Sequence, residues 1–164
     1  MAEGPEVFVF DGSSEAEAAL DLAERFSLSG MADPIVVASV HGTDLASAIE
    51  GVTPLQSPPP GADQAWASRL GSVAIEKGAG AIVAVGGGRC LDLGKLAAAR
   101  AGLSVFAVPT QLSHDGICSP VAVAPDDDGR AQSVGAISPR VVYLSIPTLL
   151  GAPATSVIAG VGDL

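Results

Sequence analysis

The chain has 164 residues, enough for one domain with a sizeable core. It carries 18 Asp and Glu against 8 Lys and Arg, a formal net charge of −10, and no basic run, which argues against nucleic-acid binding through clustered cations. Hydrophobic residues make up 48% and aromatics only 4%, so the core must be built from Ala, Val, Leu and Ile, as suits helices lying close on a sheet.

In chain order, residues 1–10 lack the basic-then-apolar pattern of a secretion signal. Residues 6–10 (EVFVF) predict a first strand ending at Asp11-Gly12. Ser13 or Ser14 is placed to cap a helix running to about Phe26, with Glu15 and Glu17 in its favourable first turn. Residues 34–40 predict a second strand, 44–49 a short helix and 53–56 a short third strand. The SPPPG segment at 57–61 reads as a stiff polyproline connector. A helix over 63–77 follows, with Trp66, Leu70, Val73 and Ala74 at helical spacing for the sheet.

Next come a strand over 81–85, a helix over 89–100 stopped by Gly102, a strand over 104–108 and a polar loop over 109–120. Asp126, Asp127, Asp128 and Gly129 predict the turn of a β-hairpin, 121–124 against 133–137. Neighbouring carboxylates cannot all face one ion, so the turn outweighs a calcium loop. A strand over 141–144 and a helix over 154–161 complete the reading. The uncharged run 141–162 has the length of a membrane span, but Pro147, Pro153 and its glycines argue for strand, turn and short helix instead. Strands alternating with helices predict an α/β fold, a Rossmann-like, doubly wound and mainly parallel sheet with a β-hairpin insertion. Cys90 and Cys118 have no metal-type spacing, and a reduced, cytoplasmic chain is expected.

The chemistry concentrates between residues 81 and 119. Ile82 to Val85 form an apolar, β-branched run that suits a strand buried on both faces. Gly86, Gly87 and Gly88 follow at once, where backbone amides can approach a ligand with no Cβ in the way. The next helix aims its unsatisfied N–H groups and partial positive charge at them, as a phosphate-bearing cofactor requires. Leu91 breaks the GxGxxG spacing, so the ordinary dinucleotide fingerprint is absent.

Asp11, just past the first strand, is a candidate for the hydroxyls of an adenosine ribose, and a carboxylate there favours NAD over NADP. The competing reading is a turn residue before Gly12. Asp92 lies one turn into the helix, with Lys95 at i+3 placed to pair with it; a surface salt bridge is the plainer account. Thr110, Ser113, His114, Asp115 and Ser119 make the following loop dense in polar groups. His114 is a candidate metal ligand or acid, or else a hydrogen-bonding loop residue. His41, alone in its turn, carries less. Val121 and Val123 would flank the cofactor through backbone and apolar contacts.

GGGRCLDLGK, followed by VPTQLSHDGICSP, resembles the glycerol-1-phosphate dehydrogenase branch of the iron-containing alcohol dehydrogenase and dehydroquinate synthase-like superfamily. AGVGDL at 159–164 looks like that family's segment bearing a metal-binding aspartate. The resemblance runs from about residue 6 to residue 164, whereas the family's enzymes are roughly twice as long and continue into an all-helical metal domain. It implies that residues 1–164 form a dinucleotide-binding domain for NAD or NADP. By the same resemblance Asp11 serves the adenosine ribose, Gly86 to Gly88 the diphosphate and Asp92 the nicotinamide ribose. Thr110 and Ser119 would contact the dinucleotide, and Asp115 would lie between nicotinamide and substrate.

Asp163 matches one ligand of a divalent metal, zinc above others, whose two histidines lie in the helical domain that this chain lacks. The family's leading hairpin reads as shortened, and Ser145 replaces an acid common after that strand. The expected activity is reduction of dihydroxyacetone phosphate or a related ketone, with no turnover unless a carboxyl-terminal half or partner subunit is supplied. The substrate would be a small phosphorylated ketone or alcohol, and a homo-oligomer is a further expectation. A non-catalytic NAD-binding module is the alternative. A sugar-phosphate cyclase like dehydroquinate synthase is disfavoured by SHDG at 113–116 and by aspartate at 163.

Overall fold

Apolar runs become strands wherever helices can cover both of their faces, and this chain has helices for both. In the computed structural model, which describes residues 4–49, 56–112 and 115–155, the first half contains β1 (Glu6–Phe10), α1 (Glu15–Leu28), β2 (Pro34–Ala38), α2 (Thr43–Ala46) and α3 (Gln64–Glu76). The second half contains β3 (Ala81–Gly86), α4 (Gly88–Ala101), β4 (Ser104–Pro109), β5 (Val121–Pro125), β6 (Ala131–Gly135), β7 (Val141–Ser145) and α5 (Ile146–Leu150). Five strands form one parallel sheet in the order β1-β7-β4-β3-β2, while β5 and β6 pair antiparallel as a separate hairpin.

The period-two alternation of strand side chains sorts the core into two layers. Val36, Val83, Val85, Phe106, Val108 and Tyr143 point to one face, where Ala18, Leu22 and Phe26 of α1 cover them. Ile35, Val37, Ile82, Ala84, Val105, Ala107 and Val142 point to the other, beneath α3 and α4. Every residue of β3 is buried, as a central strand covered on both sides requires.

Local chemistry sets the helix ends. The Ser14 hydroxyl accepts the Glu17 amide at 3.2 Å, and the Asp63 carboxylate accepts the Trp66 amide at 2.8 Å. Gly102 closes α4 in the left-handed conformation at φ 68°. In the hairpin turn, one Asp126 carboxylate oxygen accepts the amides of Asp128 and Arg130, and Gly129 takes φ 77°. The three aspartates therefore serve a turn, as their spacing predicts.

Differences from the sequence reading are local. β2 ends at Ala38 rather than residue 40, because Gly42 packs onto the end of β3 and turns the chain into a 3-10 segment, Val40–Gly42. A Cβ on Gly42 would lie 2.5 Å from the Val85 carbonyl oxygen. Of the expected third strand only Gln56 is described, bridged to Val37; residues 53–55 lie outside the described residues. The hairpin pairs 121–125 with 131–135, two residues earlier than expected on its second strand. α5 was not expected as a separate helix, and of the helix expected over 154–161, residues 156–161 lie outside the described residues. Among the described residues, no helix is long and apolar enough to cross a membrane.

Candidate dinucleotide cleft

The strand order decides which residues can meet at the glycine turn. β3 ends at Gly86, and Gly87 caps α4 with extended backbone and no side-chain cap, so its first-turn amides stay available. The Thr110 amide donates to the Gly86 carbonyl at 3.0 Å, tying the exit of β4 to the turn. The glycines are needed for space. A Cβ on Gly86 would lie 2.7 Å from the Cys90 Cβ and 2.8 Å from the Ser39 hydroxyl, and one on Gly87 would collide with the Gln111 amide.

Two cavities meet at this turn. The larger, about 680 Å³, is lined by Ser39, His41 and Thr43 after β2, by the 57–60 connector, by Gly87, Gly88 and Arg89, and by Thr110 and Gln111. The second, about 430 Å³, shares Gly88, Arg89 and Gln111 and extends to Asp92, Val123, Ala124 and Pro125. Together they make a cleft running from the end of β2, across the amino end of α4, to the hairpin. Arg89 donates to the Pro59 and Ala62 carbonyls at 3.1 and 3.2 Å and so pins the connector beside the turn. Cys90 closes the wall as a neutral thiol, since burial pushes it up to about 12.

Asp92 and Lys95 do not form a surface salt bridge. The Lys95 side chain is fully buried, and its ammonium lies 3.0 Å from the Asp92 carboxylate. It also donates to the Gly116 and Val121 carbonyls at 2.6 Å each and to Ser119 at 3.4 Å. The other Asp92 oxygen accepts the Val123 amide at 3.0 Å. One buried ion pair thus fastens the 116–121 loop and the hairpin to α4.

Asp11 stands elsewhere. It follows β1 at the sheet edge, with β7 and β4 between that strand and β3, about 14 Å of lateral distance at ordinary strand spacing. It is exposed and lines neither cavity. Asp11 is therefore not among the residues that line the cleft at the glycine turn, and its role at an adenosine ribose stays a proposal. The residue at the end of the strand beside β3 is Ser39, whose amide donates to the Val85 carbonyl at 2.9 Å.

The remaining expectations divide. Gly86, Gly87, Gly88, Thr110, Asp92 and Val123 come together around the cleft. Ser119 bonds back to its own loop, donating to the Gly116 carbonyl at 3.1 Å, and Val121 is exposed on the hairpin. Asp115 opens a 3-10 turn, Asp115–Ile117. Its side chain, like Ser113, His114 and Asp163, lies outside the described residues. Ser39, Arg89 and Gln111, which sequence reasoning did not single out, line the larger cavity together with His41. The available signal was SVHG directly after an apolar strand, the same strand-then-turn grammar as VGGG.

A profile of the iron-containing alcohol dehydrogenase family matches residues 31–153. Over 149 residues, 88% of this chain, it is 32% identical to the NAD(P)+ glycerol-1-phosphate dehydrogenase of Thermococcus kodakarensis, covering 42% of that protein. The corresponding enzyme of Thermofilum pendens is 36% identical over 103 residues, 63% of this chain and 30% of the relative. Among solved structures, a probable glycerol dehydrogenase from Sinorhizobium meliloti superposes with a TM-score of 0.82 at 26% identity, covering 98% of this chain and 45% of that one. The chain therefore spans less than half the length of the relatives it matches.

Proposed function

Because the chain belongs to the iron-containing alcohol dehydrogenase family, we propose that it is the nucleotide-binding half of an NAD(P)-dependent, metal-dependent dehydrogenase of the glycerol-1-phosphate type, reducing dihydroxyacetone phosphate or a related ketone. The observation that carries this reading is the cleft itself: an uncapped helix end over a glycine turn, continuous with a hairpin locked to the same helix.

The residues present fit a dinucleotide. The first-turn amides of α4 and the Arg89 guanidinium hold the diphosphate. The 39–43 turn flanks the adenosine ribose, at the carboxyl ends of the strands where α/β sheets bind such ligands. Thr110, Gln111 and Val123 flank the nicotinamide half, whose position depends on the Asp92–Lys95 pair through the hairpin. When bound, the nicotinamide supplies or accepts hydride. Asp115 and His114 remain the catalytic candidates, Asp115 as the residue between nicotinamide and substrate that the family resemblance implies, and Ser113 and Ser119 remain candidates for the dinucleotide.

The metal is a different matter. Among the described residues no group of three acidic, histidine or cysteine side chains could hold an ion. Asp163 is proposed as one ligand only, and no step is derived through a metal.

Calorimetric titration of the 164-residue chain with NADH and NADPH should give saturable binding. The same chain with dihydroxyacetone phosphate and zinc should give negligible turnover until joined to the carboxyl-terminal half of a relative. Lack of binding by either dinucleotide would overturn the reading. Binding without turnover in the joined protein would favour the non-catalytic module.

A further inference from the structure

Resting on the dinucleotide reading of the cleft, we infer that Gln111 is a gate on its anion site. In the free chain the Gln111 carboxamide takes the place of the cap that α4 lacks. It must swing aside before a diphosphate can reach the first-turn amides. The capping position is Gly87, and a side chain there is what ordinarily reaches the amides two and three residues on. Glycine has none, so the space along its missing Cβ bond opens directly onto the amides where an anion would sit.

That space is filled. A Cβ on Gly87 would lie 3.0 Å from the Gln111 Cδ and 3.2 Å from its Cγ, and would collide with Nε2. The carboxamide therefore stands at the junction that both parts of the cleft share with Gly88 and Arg89. The backbone beneath it is fixed, because the neighbouring Thr110 amide donates to the Gly86 carbonyl at 3.0 Å. The side chain itself can move. Gln111 is only half-buried, and a third cavity of about 320 Å³, bordered by Gln111, Thr148 and Gly151, gives the carboxamide room to turn into.

The group suits a displaceable cover. A carboxamide has a donor end and an acceptor end, so a half-turn offers its oxygen to the amides as an ordinary cap does. It carries no net charge, whereas a diphosphate brings full charges to the same amides and to the Arg89 guanidinium, and so displaces it. Until then the closed gate lowers apparent affinity in proportion to the fraction of chains found open. With the strength of an ordinary side-chain cap, closed chains outnumber open ones about fivefold.

Titration of the 164-residue chain and of Gln111→Ala with inorganic pyrophosphate and with ADP tests the gate. The variant should bind both about fivefold more tightly than the wild-type chain. Unchanged affinity would overturn the inference. Weaker binding would overturn it too, and would make Gln111 a contact to the ligand. A second measurement on the wild-type chain holds even where the variant folds poorly. Nuclear Overhauser contacts between the Gln111 carboxamide protons and the Gly87 α-protons should be present in the free chain and vanish at saturating ADP. Their absence in the free chain, or their persistence at saturation, would overturn the gate while ADP binding leaves the dinucleotide reading standing. Failure of both chains to bind either probe would remove the two together.

Discussion

Lys95→Met tests whether the hairpin is fastened from beneath. Methionine keeps much of the length and apolar stem of lysine but offers no donor. The substitution removes a 3.0 Å ion pair and two 2.6 Å hydrogen bonds from a side chain with no exposure. It leaves the Asp92 carboxylate buried with the Val123 amide as its remaining bond. Orphaning one member of a buried pair costs about 3–5 kcal/mol, and each carbonyl left without a donor adds about 1–3 kcal/mol unless water reaches it. These costs do not simply add, because the hairpin can lift from α4 and let water in. The expected loss is therefore about 3–5 kcal/mol, a large share of the roughly 5–15 kcal/mol that holds a domain together.

Urea unfolding at pH 7, followed by circular dichroism, measures the loss. Asp92→Leu added to Lys95→Met should return part of it by removing the unpaired charge, though the loop carbonyls and the Val123 amide stay unsatisfied. A single-variant loss below about 1 kcal/mol, the size of an exposed pair, would refute the reasoning. So would a double variant less stable than the single one.

Two glycines in the same segment should behave oppositely. Gly94→Ala places a Cβ 2.7 Å from the Ala84 Cβ, on a central strand that cannot retreat, and should cost about 1–3 kcal/mol in urea unfolding. Gly87→Ala meets only the Gln111 side chain, which can rotate away, so stability should change by less than about 1 kcal/mol while dinucleotide affinity falls about tenfold. Equal destabilisation by the two would contradict the packing described. The thiols should differ as well. Burial raises Cys90 to about 12, so at pH 8 only roughly one part in ten thousand is thiolate, while Cys118 is exposed. A disulfide reagent should label one thiol in the folded chain and two in urea; rapid labelling of both when folded would refute the burial.

How much of this was legible beforehand depended on whether the information was local. The β3–α4–β4 run announces itself, since a β-branched strand, three glycines and a glycine stop are adjacent in sequence. Strand order is not local. EVFVF and PIVVA are both short apolar strands before a turn, and only the placement of β7 and β4 beside β1 sets one far from the glycine turn and the other next to it. The distance between Asp11 and the glycine turn was hidden for that reason. The Asp92–Lys95 spacing was legible, but its burial was not: residues 116–123 return over α4 from beyond β4, and nothing in the helix sequence reports that cover. α5 escaped because five residues beginning IPTLL are too few to show a period, although Ser145 accepts the Thr148 amide as an ordinary cap.

The position of α4 has a consequence for how such a protein can change over generations. Gly94 of this helix rests on Ala84, Gly71 of α3 lies against the Ala97 carbonyl, and the hairpin covers a further side. The same 14 residues carry the uncapped amides proposed to face the ligand. Selection on binding and selection on foldability therefore fall on one stretch and leave it little freedom. Gly42 apart, the rim formed by 39–43 and 57–60 bears less of the interior, so a lineage shifting what it binds there has room to vary at those positions first.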